Sequence, residues 1–73
     1  MIKAGTKCRV LADSDNNFNP GDIVVALDDD AVPYCCLLED YDSNKSIGEY
    51  NFNLFYALRD SELEVLNDDR TEE

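Results

Sequence analysis

Apolar residues along the chain come in short runs that are separated by polar, turn-forming stretches. Residues 7–11 alternate polar and apolar side chains around a β-branched residue, the pattern of a strand with one buried face. Residues 22–27 are apolar at both parities, which predicts a strand covered on both faces. Residues 34–39 form another bounded apolar run and predict a third strand.

Residues 50–58 are rich in aromatic side chains, and their first half alternates strictly. In an extended chain Tyr50, Phe52 and Leu54 would share one face. Phe55 breaks the alternation, which predicts a bulge or bend near Leu54. The segment is therefore predicted as the fourth strand.

The end of the fold is predicted as a tight turn followed by a strand. Residues 59–62 are polar and predict one short 3₁₀ turn, which leads into a last strand at residues 63–66. A helix over residues 58–66 is the alternative, because three leucines there partly share one helical face. Their i, i+5, i+8 spacing fits a helix poorly, so the strand is favoured.

The connections carry turn-forming and acidic residues. Residues 12–21 are rich in Asp, Asn, Pro and Gly and predict a loop, in which Phe18 is expected to fold back over one end of the core. Residues 28–33, here called the acidic turn, join the second and third strands. The acidic turn begins with three adjacent carboxylates, those of Asp28, Asp29 and Asp30.

Five short strands with turn signals between them predict an all-β fold, a small five-stranded barrel. A chain of 73 residues allows one domain and a thin core. The barrel is predicted to occupy residues 1–66. Residues 67–73 are predicted to be an acidic C-terminal tail that frays.

The order of the motifs resembles that of SH3-like barrels. The run KCRVL at residues 7–11 precedes a loop that ends in FNPGDIV at residues 18–24. SH3-like barrels likewise have a long loop after the first strand and a Gly-Asp-hydrophobic entry into the second. The segment YALRDSELEVL at residues 56–66 resembles their close, in which a short 3₁₀ turn feeds the last strand. Over residues 3–66 the chain is similar to short SH3-like proteins of unassigned function encoded by bacteriophages and their bacterial hosts.

Two differences from SH3-like relatives argue against two of the ligands that such domains bind. Peptide-binding SH3 domains use a Trp in their groove for proline-rich ligands, and this chain has none. Relatives that bind nucleic acid carry basic loops, whereas the loops here carry acidic residues. These acidic loop residues are Asp13, Asp15, Asp28, Asp29 and Asp30.

The charge balance restricts the partners. The chain has 17 acidic and 6 basic residues, a formal net charge of -11. Such a surface repels nucleic acid and anionic lipid and favours a basic protein surface. No apolar stretch approaches the roughly 18 residues of a membrane span, and no signal peptide is evident. Three cysteines without paired spacing predict reduced, buried thiols, so we expect a cytoplasmic protein, within a bacterial host if phage-encoded.

The residue types argue against catalysis and against a cofactor. The chain contains no His, the usual general base and a common metal ligand. No basic residue is adjacent in sequence to Cys35 or Cys36. Cys8 lies between Lys7 and Arg9, but neighbours in a strand point to opposite faces. We therefore expect no enzymatic activity and no catalytic residues.

One loop partly matches a calcium-binding motif. Residues 13–17 fit the first five positions of a D-x-D-x-N calcium loop. The sixth position should be Gly and is Phe18, and the twelfth should be Glu and is Val24. The match fails at the two positions that determine the geometry of a calcium loop, so no metal site is predicted.

The function predicted from these features is a non-enzymatic acidic module that binds a basic protein surface. A host enzyme that binds nucleic acid is one such partner, which the carboxylates would inhibit by mimicking phosphate charge. The alternative is that the acidic side chains only keep the protein soluble and form no binding surface. The residues predicted to bind the partner are Asp28, Asp29, Asp30, Tyr34, Glu39, Asp40 and Asp42.

Two other functions remain open from the sequence. The chain could be a structural or accessory subunit of a phage assembly, with exposed aromatic residues forming a homodimer contact. It could also be a nucleic-acid-binding barrel, which the net charge opposes.

Overall fold

The computed structural model describes residues 2–66 as a fold of strands and 3₁₀ turns, and the predicted tail lies outside these residues. The strands are β1 Lys7–Val10, β2 Ile23–Ala26, β3 Tyr34–Leu37, β4 Phe55–Ala57 and β5 Leu63–Val65. The first, second and third 3₁₀ turns are Leu38–Asp40, Ile47–Glu49 and Asp60–Glu62. No α-helix is present among the described residues, and the predicted all-β class is confirmed.

The five strands form one antiparallel sheet in the order β4-β3-β2-β1-β5. The chain thus makes a meander from β1 to β4, and β5 returns to pair with β1. Within residues 2–66 the sheet is open, with β4 and β5 as its two edges. The third 3₁₀ turn leads directly into β5, as predicted, and the helical alternative for this segment is wrong.

One face of the sheet carries the main hydrophobic core. Cys8 and Val10 of β1 point into it, because alternate residues of a strand share a face. Phe18 folds back from its loop as predicted and is 7% exposed, with its ring edge-on to Tyr56 at 5.6 Å. The core residues are Ile2, Cys8, Val10, Phe18, Val24, Ala26, Cys35, Leu58 and Leu63.

The opposite face of the sheet is also covered near its centre. Val25 and Cys36 are direct partners in the β2–β3 pairing and are almost fully buried, although neither belongs to the main core. Asp40 of the first 3₁₀ turn lies close enough to raise the pKa of Cys36, so the connection after β3 runs near this face. The prediction that β2 is covered on both faces is confirmed.

The prediction of a strand over residues 50–54 is wrong. Tyr50 is buried whereas Phe52 is 86% exposed, so the two do not share a face. A turn replaces the predicted bulge, closed by the Leu54 N–H that donates to the Asn51 carbonyl oxygen at 2.9 Å. The apparent alternation has a different cause: the Tyr50 hydroxyl lies 2.8 Å from the backbone N and O of Asp42, which fixes Tyr50 before the turn begins.

The third strand is shorter than predicted. It ends at Leu37, and the next residues form the first 3₁₀ turn, in which the Tyr41 N–H donates to the Leu38 carbonyl oxygen at 3.2 Å. Glu39 and Asp40 therefore lie in a turn beyond the end of β3. This change matters because both residues belong to the predicted binding set.

Candidate functional site

The acidic turn holds its three carboxylates by backbone hydrogen bonds. Asp28 Oδ1 accepts from the N–H of Tyr34 at 2.9 Å, and Asp29 Oδ1 accepts from the N–H of Ala4 at 2.7 Å. Asp30 Oδ1 accepts from the N–H of Val32 at 3.3 Å, and the Asp30 backbone pairs with Ile2. The carboxylates therefore shape the turn, and their orientations are fixed before any partner arrives.

An aromatic pair lies beside the acidic turn. Tyr34, the first residue of β3, packs edge-to-face against Phe55 of β4, with ring centroids 5.3 Å apart. The Tyr34 side chain is 44% exposed, as is Val32 of the acidic turn. The structure therefore brings Tyr34 together with Asp28, whose carboxylate accepts the Tyr34 amide. Exposed aromatic surface bordered by polar residues is typical of protein-binding sites.

The other predicted binding residues lie at the opposite end of β3. Glu39 and Asp40 are in the first 3₁₀ turn, and within residues 2–66 neither side chain makes a hydrogen bond. Asp42 Oδ1 accepts from the N–H of Asn44 at 2.9 Å. The seven predicted residues thus form two groups, separated by a strand of about 13 Å, and Tyr34 belongs to the first.

The carboxylate of Asp13 closes the loop that partly matches a calcium-binding motif. Asp13 is 8% exposed and its Oδ1 accepts from the N–H of Asp15 at 2.9 Å. Its Oδ2 accepts from the amides of Asn17 and Phe18 at 2.9 and 3.0 Å. Asn16 has a positive φ of 60°, which Asn tolerates better than most residues. The spacing therefore serves a tight loop, and the described residues contain no group of three side chains placed to hold a metal ion.

The negative charge is largely uncompensated by basic side chains. Among residues 2–66 the one ion pair joins Arg9 to Glu64, with Nη1 and Oε1 2.8 Å apart and both side chains about half exposed. Hydrogen bonds from backbone amides orient carboxylates without neutralising them. Within residues 2–66 no basic side chain therefore forms an ion pair with the acidic turn.

The three cysteines are free and buried, as predicted, and are poor nucleophiles. Burial raises the pKa of the Cys35 thiol to about 12, with smaller contributions from Cys8 and Asp28. Burial also raises the pKa values of Cys8 and Cys36, and the charge of Asp40 adds to the effect at Cys36. A thiol reacts as its thiolate, so these environments disfavour covalent chemistry.

We expect the native protein to resist thiol labelling. At pH 8 the thiolate fraction of Cys35 is on the order of 10⁻⁴, and access to all three sulfurs is blocked by burial. A colorimetric thiol reagent should react slowly with the folded chain and should titrate all three cysteines in urea. Rapid modification of any cysteine in the folded protein, located by mass spectrometry, would contradict this account of the thiols.

Glu62 joins the third 3₁₀ turn to the Asp13 loop. Its Oε1 accepts from the N–H of Arg59 at 2.9 Å and its Oε2 from the N–H of Ser14 at 3.0 Å. These two hydrogen bonds, that of Arg59 first, lower the pKa of Glu62 from its ordinary value of 4.5. No local sequence pattern indicates the Ser14 contact, because it joins residues 48 positions apart.

The Glu62→Gln substitution should make the protein less stable at neutral pH. The pKa of Glu62 is lower in the folded than in the unfolded chain, so its stabilising effect is complete above the unfolded value of 4.5. That effect is lost as the pH falls through the folded pKa. Urea denaturation should therefore show a small difference from wild type at pH 7 that shrinks on acidification. Glu39→Gln is the matched control, and an equal pH dependence in both variants would contradict the role of Glu62.

A contact between distant segments brings a further acidic residue to the acidic turn. The N–H of Asp60 donates to the carbonyl oxygen of Ala31 at 3.1 Å, so the third 3₁₀ turn lies against the acidic turn. Asp60 is not among the binding residues predicted from the sequence. No local pattern could have indicated it, because the contact depends on the β3–β4 pairing.

Comparison with protein-family models, with curated proteins and with solved structures finds no match to this chain. Among residues 2–66, no helix has the length and apolar character needed to cross a membrane.

Proposed function

We propose that this chain is a non-enzymatic acidic interaction module that binds a basic surface of another protein. The observation that carries the proposal is the acidic turn beside the Tyr34–Phe55 pair, in which Tyr34 is exposed and Phe55 is partly buried. The carboxylates steer a basic partner and the aromatic side chains supply apolar contact area. The buried, high-pKa thiols support a binding role over a catalytic one.

The fixed geometry of the acidic turn favours recognition over a merely solubilising role. A solubilising shell needs charge but no particular orientation, whereas Asp28 and Asp29 are each held by a backbone amide. A preorganised site loses less conformational entropy when it binds. The same hydrogen bonds stabilise the turn itself, so the two roles are compatible.

We also propose that the fold is a phage-type SH3-like barrel. The strand order β4-β3-β2-β1-β5 and the 3₁₀ turn that precedes β5 support this proposal, together with the resemblance of residues 3–66. In a partly open barrel of this kind the edges β4 and β5 stay unpaired, as they are within residues 2–66.

Proteins that bind nucleic acid form one class of basic partner. Their clefts present Lys and Arg side chains at positions that match phosphate groups. Carboxylates held on the acidic turn would compete with phosphates for these side chains, and the host enzyme would be inhibited.

The proposal is tested by the salt dependence of partner binding. The chain is immobilised and incubated with bacterial lysate, and a retained protein is purified and its Kd measured at several ionic strengths. We expect Kd to rise steeply with salt. The triple variant E39Q/D40N/D60N removes charges that make no hydrogen bond within residues 2–66, so it should bind more weakly at low salt without unfolding. A Kd independent of ionic strength would contradict the electrostatic mechanism.

A structural or accessory subunit is the second candidate, supported by the exposure of Phe52. This side chain is 86% exposed, and Tyr34 and Val32 are also exposed. Such surface could join two copies of the chain, although the like charges of the copies oppose association at low salt. Sedimentation at micromolar concentration separates the candidates: a stable dimer supports self-association, and a strict monomer contradicts it.

A further inference from the structure

The outer edge of β4 offers backbone groups that can pair with an added strand. The Leu58 N–H donates to the Pro33 carbonyl oxygen at 3.1 Å, and Cys35 is the direct partner of Tyr56. In this register the backbone of Tyr56 faces β3, because hydrogen-bonded and non-hydrogen-bonded pairs alternate. The N–H and C=O groups of Phe55 and Ala57 therefore point away from β3. Within residues 2–66 no strand pairs with that side of β4.

The two ends of the β4 edge differ in chemistry. The turn that enters β4 carries the exposed Phe52, and the strand begins with Phe55, whose ring contacts Tyr34. Beyond the other end lies Asp60, in the third 3₁₀ turn, whose amide is bonded to Ala31 of the acidic turn. An occupant of this edge therefore meets aromatic surface at one end and carboxylates at the other.

We propose that an extended, Lys- or Arg-bearing segment of the partner adds a strand to the β4 edge. This inference rests on the proposed function and specifies how the basic partner is held. Backbone hydrogen bonds to Phe55 and Ala57 align the segment. Its basic side chains reach Asp60 and the acidic turn, and their aliphatic stems and charges interact with the Tyr34–Phe55 pair.

The β5 edge is a poorer site for the same segment. The N–H of Leu63 already donates to the carbonyl oxygen of Asp60, which leaves fewer outward groups. Glu64 is paired with Arg9 across the β1–β5 pairing, so its charge is partly neutralised. Charge complementarity and available hydrogen bonds thus both favour β4.

The probe for this inference is a labelled heptapeptide of alternating Lys and Val, with its Kd measured by fluorescence anisotropy. A second peptide has the same sequence with alternate backbone nitrogens methylated, which keeps every charge and removes one edge of hydrogen-bond donors. We expect the methylated peptide to bind at least about tenfold more weakly. Equal binding of the two peptides would overturn the strand-addition inference and leave the acidic-module proposal standing. If neither peptide binds at low salt, both proposals fail.

Matched proline substitutions locate the peptide on one edge. Ala57→Pro removes an outward N–H of β4, and Val65→Pro removes an outward N–H of β5, positions where an edge strand tolerates proline. We expect Ala57→Pro to weaken binding of the unmethylated peptide about tenfold and Val65→Pro to change it less than about twofold. The reverse order, or equal effects, would overturn the assignment to β4.

A charge-only comparison covers the case in which a proline variant does not fold. Asp60→Asn and Glu39→Gln each remove one carboxylate that makes no hydrogen bond within the described residues. Asp60 lies beyond the end of β4 that is next to the acidic turn, whereas Glu39 lies beyond the opposite end of β3, where it lines a pocket with Ile23 of β2. Asp60→Asn should weaken peptide binding more than Glu39→Gln does, and the opposite order would contradict the β4 site.

Discussion

Replacing Phe18 by Ala should destabilise the protein by about 3–4 kcal/mol, whereas replacing Phe52 by Ala should cost less than about 0.5 kcal/mol. In the structure both residues lie in connections between strands, although the sequence pattern assigns Phe52 to a predicted strand. Phe18 is 7% exposed and fills the end of the core against Tyr56. Its removal leaves a cavity that the surrounding side chains only partly fill. Phe52 is in contact mainly with solvent.

Urea denaturation of the two variants measures the difference directly. A domain of this length has a free energy of unfolding of roughly 4–11 kcal/mol, so Phe18→Ala could remove most of it. Phe18→Leu keeps much of the volume and should remain folded with a smaller loss. Equal stabilities of the Phe18→Ala and Phe52→Ala variants would show that the loop does not contribute Phe18 to the core.

Replacing Asp13 by Ala should destabilise the protein by about 2–4 kcal/mol. The two oxygens of the carboxylate accept three backbone N–H groups, and the amide of Phe18 is buried. Without the carboxylate these donors lose their acceptor, and the loop that delivers Phe18 to the core is no longer closed. The effect therefore combines unsatisfied amides with a loosened aromatic contact.

Asp15→Ala is the matched control for Asp13→Ala. Asp15 is exposed and lies two residues away in the same loop, and its carboxylate accepts no hydrogen bond within residues 2–66. It should change the free energy of unfolding by less than about 0.5 kcal/mol. If both substitutions lower the free energy of unfolding equally, the stability of the loop depends on its total charge and not on the hydrogen bonds from the amides to Asp13. Thermal denaturation of the two variants at the same pH distinguishes these outcomes.

The sequence pattern predicted strands correctly where the burial of each strand face determines which positions are apolar. β2 is apolar at both parities because both of its faces are covered, and this shows directly in the sequence. β1 alternates because one of its faces is exposed. The pattern was misleading at residues 50–54, which do not form a strand. There Tyr50 is held by a hydrogen bond from the Asp42 N–H to its hydroxyl, and Phe52 points into solvent. Alternation shows which residues are apolar but not which partner each one meets.

The candidate site was only partly predictable. Adjacent carboxylates in a turn are visible in a sequence, and so is the Tyr that follows them. Their hydrogen bonds to Ala4 and Tyr34 depend on the path of the N-terminal segment and on the hairpin geometry. The separation of Glu39 and Asp40 from the acidic turn follows from the length of β3. Contacts between distant segments, such as that of Asp60 with Ala31, leave no local signal.

The role of the carboxylates in holding loops changes how the net charge of -11 is understood. Asp13, Asp28 and Glu62 each accept backbone amides that would otherwise lack an acceptor in the fold. Part of the acidity is therefore structural, and a charge-neutralising variant must avoid these positions. Asp15, Glu39, Asp40 and Asp60 are residues at which charge can be removed without breaking a hydrogen bond within residues 2–66.

The most direct test of the central claim is the Kd of the captured partner at about 50 and about 500 mM NaCl, where the screening length falls severalfold. An acidic module that binds through its charge should lose at least about tenfold in affinity over this range. The E39Q/D40N/D60N variant should show weaker binding at low salt and a shallower dependence. Identical Kd values at the two salt concentrations would contradict the account.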